Sequence, residues 1–194
     1  MKTIETKVYE FDELSDDAKE KAREWYREGA LDYEWWDGVF ESAKTAGACL
    51  GITVDNIYFS GFSSQGDGAC FVGTYAYRKG WRAALRAEFG EATLEPLEAI
   101  GQSLQDAQKR VFYRGTADVR KTSHYYEHEN TVRIECDPDD GELADALTDT
   151  LRDFMRWIYR ELEKEYDWLN SDEQVDEAIE ANEYTFTETG KRFG

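Results

Sequence analysis

The chain is short of cysteine, of basic residues and of long apolar runs, and each shortage removes a class of protein. Cys49, Cys70 and Cys136 are an odd number, widely spaced and without a Cys-x-x-Cys pair, which argues against a disulfide framework or a zinc ribbon and predicts reduced thiols. No window approaches the roughly 20 apolar residues needed to cross a bilayer, and MKTIETKVYEF at the start has no apolar leader segment. The expectation is a cytoplasmic protein without a membrane partner. Lys and Arg total 23 against 42 Asp and Glu, for a formal net charge of −19. A field of that sign repels phosphate and anionic lipid, so direct nucleic-acid binding is not expected and a basic protein surface is the expected partner. Catalytic signatures are missing as well. There is no GxxxxGK[ST] loop, Ser63 is not framed as GxSxG, and no nucleophile and base stand together, so neither an enzyme nor a cofactor is expected.

What is present is enough to fold. Of 194 residues, 41% are hydrophobic and 14% aromatic, too apolar for a disordered polyanion, and no repeat or linker divides the chain. A single domain over 1–194 is expected. Residues 4–11 alternate like an edge strand. Ser15 is placed as the N-cap of a helix ending near Gly29, and a second helix, over about 33–48, is expected to pair antiparallel with it. ITVDNIYFS (52–60) and ACFVGTYAY (69–77) read as a hairpin joined by a glycine-rich link, with positive φ expected at Asp67-Gly68. Two more helices are expected over 81–89 and 94–113, the latter with Pro96 in its first turn. A second hairpin follows over 115–138, turning at Glu129 and Asn130.

The strongest helical signal comes after Pro138. Leu143, Leu147, Leu151, Phe154, Ile158, Leu162, Tyr166 and Leu169 fall at intervals of four and three, which predicts a helix on the order of 40 Å long. Ser171 with Gln174 resembles a capping box for a short helix through Ile179. Tyr184–Thr187 reads as a closing strand before a polar tail. The architecture is therefore α+β: an antiparallel sheet of about four to six strands packed against several helices, with a long acidic amphipathic helix near the C-terminus.

The charge is concentrated in the same region. Residues 135–183 hold 18 Asp and Glu against four Lys and Arg, whereas residues 44–133 hold 10 against 11. Glu142, Asp145, Asp149 and Asp153 line one helix face opposite the leucines. Asp172, Glu173, Asp176 and Glu177 continue the acidity on the next helix. Together they are candidates for binding a basic partner, and the same pattern also suits a merely solvated face. Trp35, beside inward-facing Trp36, is expected outside as a partner anchor. In the link SGFSSQGDG, residues Ser63, Ser64, Gln65 and Asp67 are candidates for an anion nest or an acid/base group, or else for a tight hairpin connection. His124 and His128, four apart on a strand, would sit roughly 13 Å apart, so no metal site is expected. DPDDGELAD lacks the glutamate a calcium loop needs and reads as a turn followed by an N-cap.

YEFDELSDDAKEKAREWYREG (9–29) together with FSGFSSQGDGACFVG (59–73) resembles an uncharacterised family of small acidic proteins encoded by phages and prophages, loosely labelled antitoxin-like. The two motifs cover about a fifth of the chain. The resemblance implies an accessory role in the cytoplasm of a bacterial host, and small acidic phage proteins include anti-CRISPR and antirestriction inhibitors, some of which imitate the charge of DNA. The leading expectation is a non-enzymatic inhibitor that occupies a basic, nucleic-acid-binding surface of a CRISPR or other host defence complex. An antitoxin-like binder of a small basic toxin is the alternative, and an enzyme built on Ser63–Asp67 a lesser one.

Overall fold

The computed structural model describes residues 5–122 and 125–194. Its elements in chain order are α1 (Asp16–Arg27), α2 (Asp37–Leu50), β1 (Ile52–Phe59), β2 (Ala69–Ala76), α3 (Trp81–Glu88), α4 (Glu91–Lys109), β3 (Thr116–Lys121), β4 (Val132–Asp137), α5 (Gly141–Leu169), α6 (Asp172–Ala181), β5 (Thr185–Phe186) and β6 (Arg192–Phe193). The fold is α+β, with a four-stranded antiparallel sheet in the order β1-β2-β3-β4 and a separate two-stranded sheet of β5 and β6. The chain divides into two compact units, Trp36–Glu163 and Met1–Trp35 with Lys164–Gly194, and the boundary falls inside α5.

The larger unit is organised by the sheet. β1 and β2 form the expected hairpin with Ile52 opposite Tyr75 and Phe59 opposite Ala69, interrupted by a bulge between Val54 and Asn56. β3 joins β2 after the excursion through α3 and α4, and β4 returns beside β3 with Thr116 opposite Asp137. The leucine stripe of α5 does what its spacing predicts. Leu143, Leu147, Leu151, Phe154, Ile158 and Leu162 are buried, and Phe154 meets Phe71 of β2 edge to face at 5.8 Å. Each such side chain contributes about 1.5–3 kcal/mol by leaving water, so this one stripe welds the helix to the sheet.

The smaller unit has its own core of Phe11, Leu14, Ala18, Ala22, Val175, Ile179 and Phe186. Here α1 packs on α6, and the turn between β5 and β6 closes on α1. Gly190 has φ +81°, and a Cβ there would lie 2.1 Å from the Ala18 carbonyl oxygen. No other residue permits that approach.

Several local expectations are corrected. Among the described residues of 4–11 only Tyr9 makes a strand bridge, to Phe186, and Phe11–Glu13 turns as a short 3-10 helix. The two helices expected over 15–29 and 33–48 belong to different units: within the smaller one α1 packs on α6, and within the larger one α2 packs on β1 and α3. Ser15 stands at the N-cap, but its backbone carbonyl rather than its hydroxyl accepts from Ala18 and Lys19. Helix α4 begins at Glu91, so Pro96 lies beyond its first turn. The tail after Thr187 is not merely polar, since Arg192 and Phe193 pair with Phe186 and Thr185.

Candidate functional site

The acidic face of α5 exists as drawn from the sequence. Glu142, Asp145, Asp149 and Asp153 are all exposed, on the side opposite the buried leucines. Two of them are partly offset by arginine: Glu142 pairs with Arg110, and Asp153 with Arg156 at 2.6 Å. Arg156 reaches Glu129 as well, at 3.1 Å. Asp145 and Asp149 form no ion pair among the described residues. At 1.5 Å of rise per residue the four carboxylates span about 16 Å, roughly one per 5.5 Å, about three-fifths of the line density of phosphates along one DNA strand.

On α6 the corresponding acids are used differently. Asp176 accepts from the Arg23 Nε and Nη2 atoms at 2.7 Å each, a two-pronged pair. Asp172 pairs with Arg27 and lies 3.8 Å from Arg23. The Arg23 guanidinium is held more firmly protonated than usual, chiefly by its hydrogen bonds to Asp176. Arg27 in turn donates to the Asn170 carbonyl at 3.1 Å. Asp172 and Asp176 are thus clamps between α1 and α6, not open partner-binding groups. Glu173 and Glu177 remain exposed, and Glu177 accepts from the Gln174 side chain at 3.2 Å. Ser171 caps the Gln174 amide at 3.4 Å without the reciprocal half of a capping box, because the Ser171 N–H donates to the Trp168 carbonyl at 3.1 Å instead.

Trp35 does not stand out as an anchor. It is half-buried, its ring tilted against Tyr166 at 5.8 Å, because α5 continues far enough to offer Tyr166 as a packing surface.

The Ser60–Gly68 link folds around its own carboxylate. Asp67 Oδ2 accepts from the Ser63 N–H at 2.9 Å and the Ser64 N–H at 2.6 Å, and the Asp67 N–H donates to the Ser64 carbonyl at 3.1 Å. The nest expected for a foreign anion is therefore filled from within. The Ser64 hydrogen bond leads in holding the Asp67 carboxyl below its ordinary value, which opposes a role as proton donor. Positive φ falls at Gly66 (+106°), not at Asp67-Gly68. Gln65 is exposed at the tip. An aromatic run fastens the link beneath: Phe59 to Phe62 at 6.2 Å, Phe62 stacked on Tyr159 at 5.4 Å, and the Tyr159 hydroxyl donating to the Gly61 carbonyl at 3.0 Å.

His124 lies outside the described residues, and among those described no three His, Cys, Asp or Glu side chains converge on a metal position. The DPDDGELAD segment does end in a cap, since Asp140 Oδ1 accepts from the Leu143 N–H at 3.1 Å. Two features escaped the sequence reading. Arg23 and Arg27 are tied to acids some 145 residues away, and Trp25, Tyr26, Tyr184 and Phe186 gather into one aromatic cluster in the smaller unit. The run of aromatic residues at 25–26 and 184–186 was the only available signal.

Residues 35–172 match a family model described as a domain of unknown function (DUF8835). The match takes in the whole larger unit and the acidic face of α5. No curated protein and no solved structure matches the chain.

Proposed function

The chain belongs to the DUF8835 family, whose description assigns no activity, so the reading rests on its own surface: we propose that it is a non-enzymatic inhibitor, of phage origin, that covers a basic nucleic-acid-binding surface of a host defence complex. The acidic face of α5 is its contact surface. One observation carries this reading: Asp145 and Asp149, one turn apart and exposed, form no ion pair among the described residues, on a helix whose flanking acids are partly offset. Like charges at this spacing cost an isolated helix a few tenths of a kcal/mol per pair, a cost that a lysine- and arginine-lined groove would turn into attraction. The field of the remaining acids adds long-range steering, so association should be fast and salt-sensitive. Binding rather than turnover is supported by the loop, whose one carboxylate is committed to its own backbone.

The test is competition. A panel of purified bacterial defence complexes, CRISPR effectors among them, is titrated with the chain while DNA binding is followed at about 50 and 300 mM salt. The proposal expects at least one complex to lose DNA binding, with weaker inhibition at the higher salt and for the Asp145→Lys, Asp149→Lys double variant. Inhibition that ignores both changes would refute charge mimicry.

A further inference from the structure

The smaller unit holds a cavity whose chemistry is independent of α5. The rings of Trp25, Tyr26 and Tyr184 meet at centroid separations of 5.3, 6.3 and 6.4 Å. With Tyr33, Glu28 and Asn182 they line an open cavity of about 570 Å³. No lysine or arginine is among its lining residues. The faces of aromatic rings carry negative potential, and Glu28 and the Asn182 side-chain oxygen add acceptors. Glu28 forms no ion pair among the described residues. The Asn182 side-chain NH2 already donates to the Ala178 carbonyl at 2.8 Å, which leaves its oxygen available to accept. Rings, carboxylate and amide oxygen together select a cation that also donates hydrogen bonds.

A second observation identifies which cation. The Arg192 guanidinium lies 4.9 Å from the Trp25 ring centroid and 4.7 Å from that of Tyr184. Arg192 is exposed and lines the neighbouring cavity, which also uses Trp25, so Trp25 and Tyr184 already carry one planar guanidinium at the protein surface. We propose that the cavity of Trp25, Tyr26, Tyr33 and Tyr184 binds an arginine side chain of a partner polypeptide, its guanidinium stacked on the rings and donating to Glu28 and Asn182. A guanidinium suits this better than an ammonium, because it is flat, weakly hydrated and presents several donors in one plane.

The probe is the tripeptide acetyl-Gly-Arg-Gly-amide, titrated into the full chain and followed by the Trp25 indole N–H resonance and by calorimetry. Acetyl-Gly-citrulline-Gly-amide, equal in shape but neutral, and the lysine tripeptide serve as comparators. Binding is expected to move the Trp25 signal, with citrulline weaker by roughly tenfold and lysine intermediate. Tyr33→Ala and Glu28→Gln change exposed residues and should each weaken the arginine peptide by roughly three- to tenfold with an unchanged urea midpoint. The Asp145→Lys, Asp149→Lys double variant should leave this binding within about twofold, which separates the cavity from the α5 face. Equal binding of arginine and citrulline, or a response at α5 instead of Trp25, would overturn the assignment.

Discussion

Helices α5 and α6 carry the same sequence signature, acids at intervals of three and four opposite an apolar stripe, and they use it in opposite ways. On α5 the acids point to solvent, with arginines touching only the two ends of the row. On α6, Asp172 and Asp176 are drawn into ion pairs with Arg23 and Arg27. What distinguishes the two helices is the element laid beside them. Helix α1 brings two arginines to α6, whereas the buried side of α5 meets an apolar sheet and, among the described residues, no ion pair forms at Asp145 or Asp149. Charge density alone therefore cannot separate a surface from a clamp; the position of the nearest guanidinium can.

The comparison can be broken first on the apolar sides, where the helices should behave alike. Leu151→Ala on α5 and Ile179→Ala on α6, both fully buried, should each lose about 2–5 kcal/mol of stability in urea unfolding. A negligible loss at Ile179 would mean that the core of the smaller unit is not what holds it together. The acidic sides should then diverge. Asp176→Asn removes one half of a pair in which Asp176 and Arg23 keep 28% and 18% side-chain exposure, and should cost about 1–2 kcal/mol. Asp149→Asn, at an exposed position, should stay within about 0.5 kcal/mol of the parent.

The pH dependence sharpens the contrast between the units. Glu180 in the smaller unit is held protonated above its ordinary value of 4.5, first by its hydrogen bond with Asp12. A carboxyl whose folded pKa is raised stabilises the fold at low pH, and that contribution fades as pH rises from 4.5 through the folded value. Glu180→Gln should accordingly give a small rise in melting temperature at pH 7 and flatten the profile below it, as read by thermal melts across pH 4–7. Asp67 in the larger unit has the opposite sign. Its folded pKa is lowered from 3.8 by the Ser64 and Ser63 N–H groups, so its support of the link is complete above that value and lost as pH falls through the folded pKa. The amide resonances of Ser63 and Ser64 should report a midpoint below 3.8, and a midpoint at or above it would deny the turn.

Much of this was legible in the chain. The heptad-like stripe of α5, the β1–β2 hairpin and the cap at Ser171 follow from local periodicity, and local periodicity survives folding where one face is buried. The acidic face of α5 was readable for the same reason, being the complement of its leucines. What could not be read was set by distant pairing. Asp176 meets Arg23 across 153 positions, Trp35 finds Tyr166, and Asp67 turns back onto Ser63 and Ser64 through a geometry that depends on Gly66 adopting positive φ. The turn between the smallest strands, β5 and β6, settles on α1 at Gly190, where a Cβ would collide with the Ala18 carbonyl.

The proposed inhibition depends on the carboxylates α5 leaves open, not on those of α6. That dependence is tested most directly by the inhibition constant against DNA binding by a susceptible defence complex, compared for Asp145→Lys, Asp149→Lys and for Glu173→Lys, Glu177→Lys. At least a tenfold loss is expected for the α5 pair and less than about twofold for the α6 pair. Equal losses, or a larger one from α6, would contradict it.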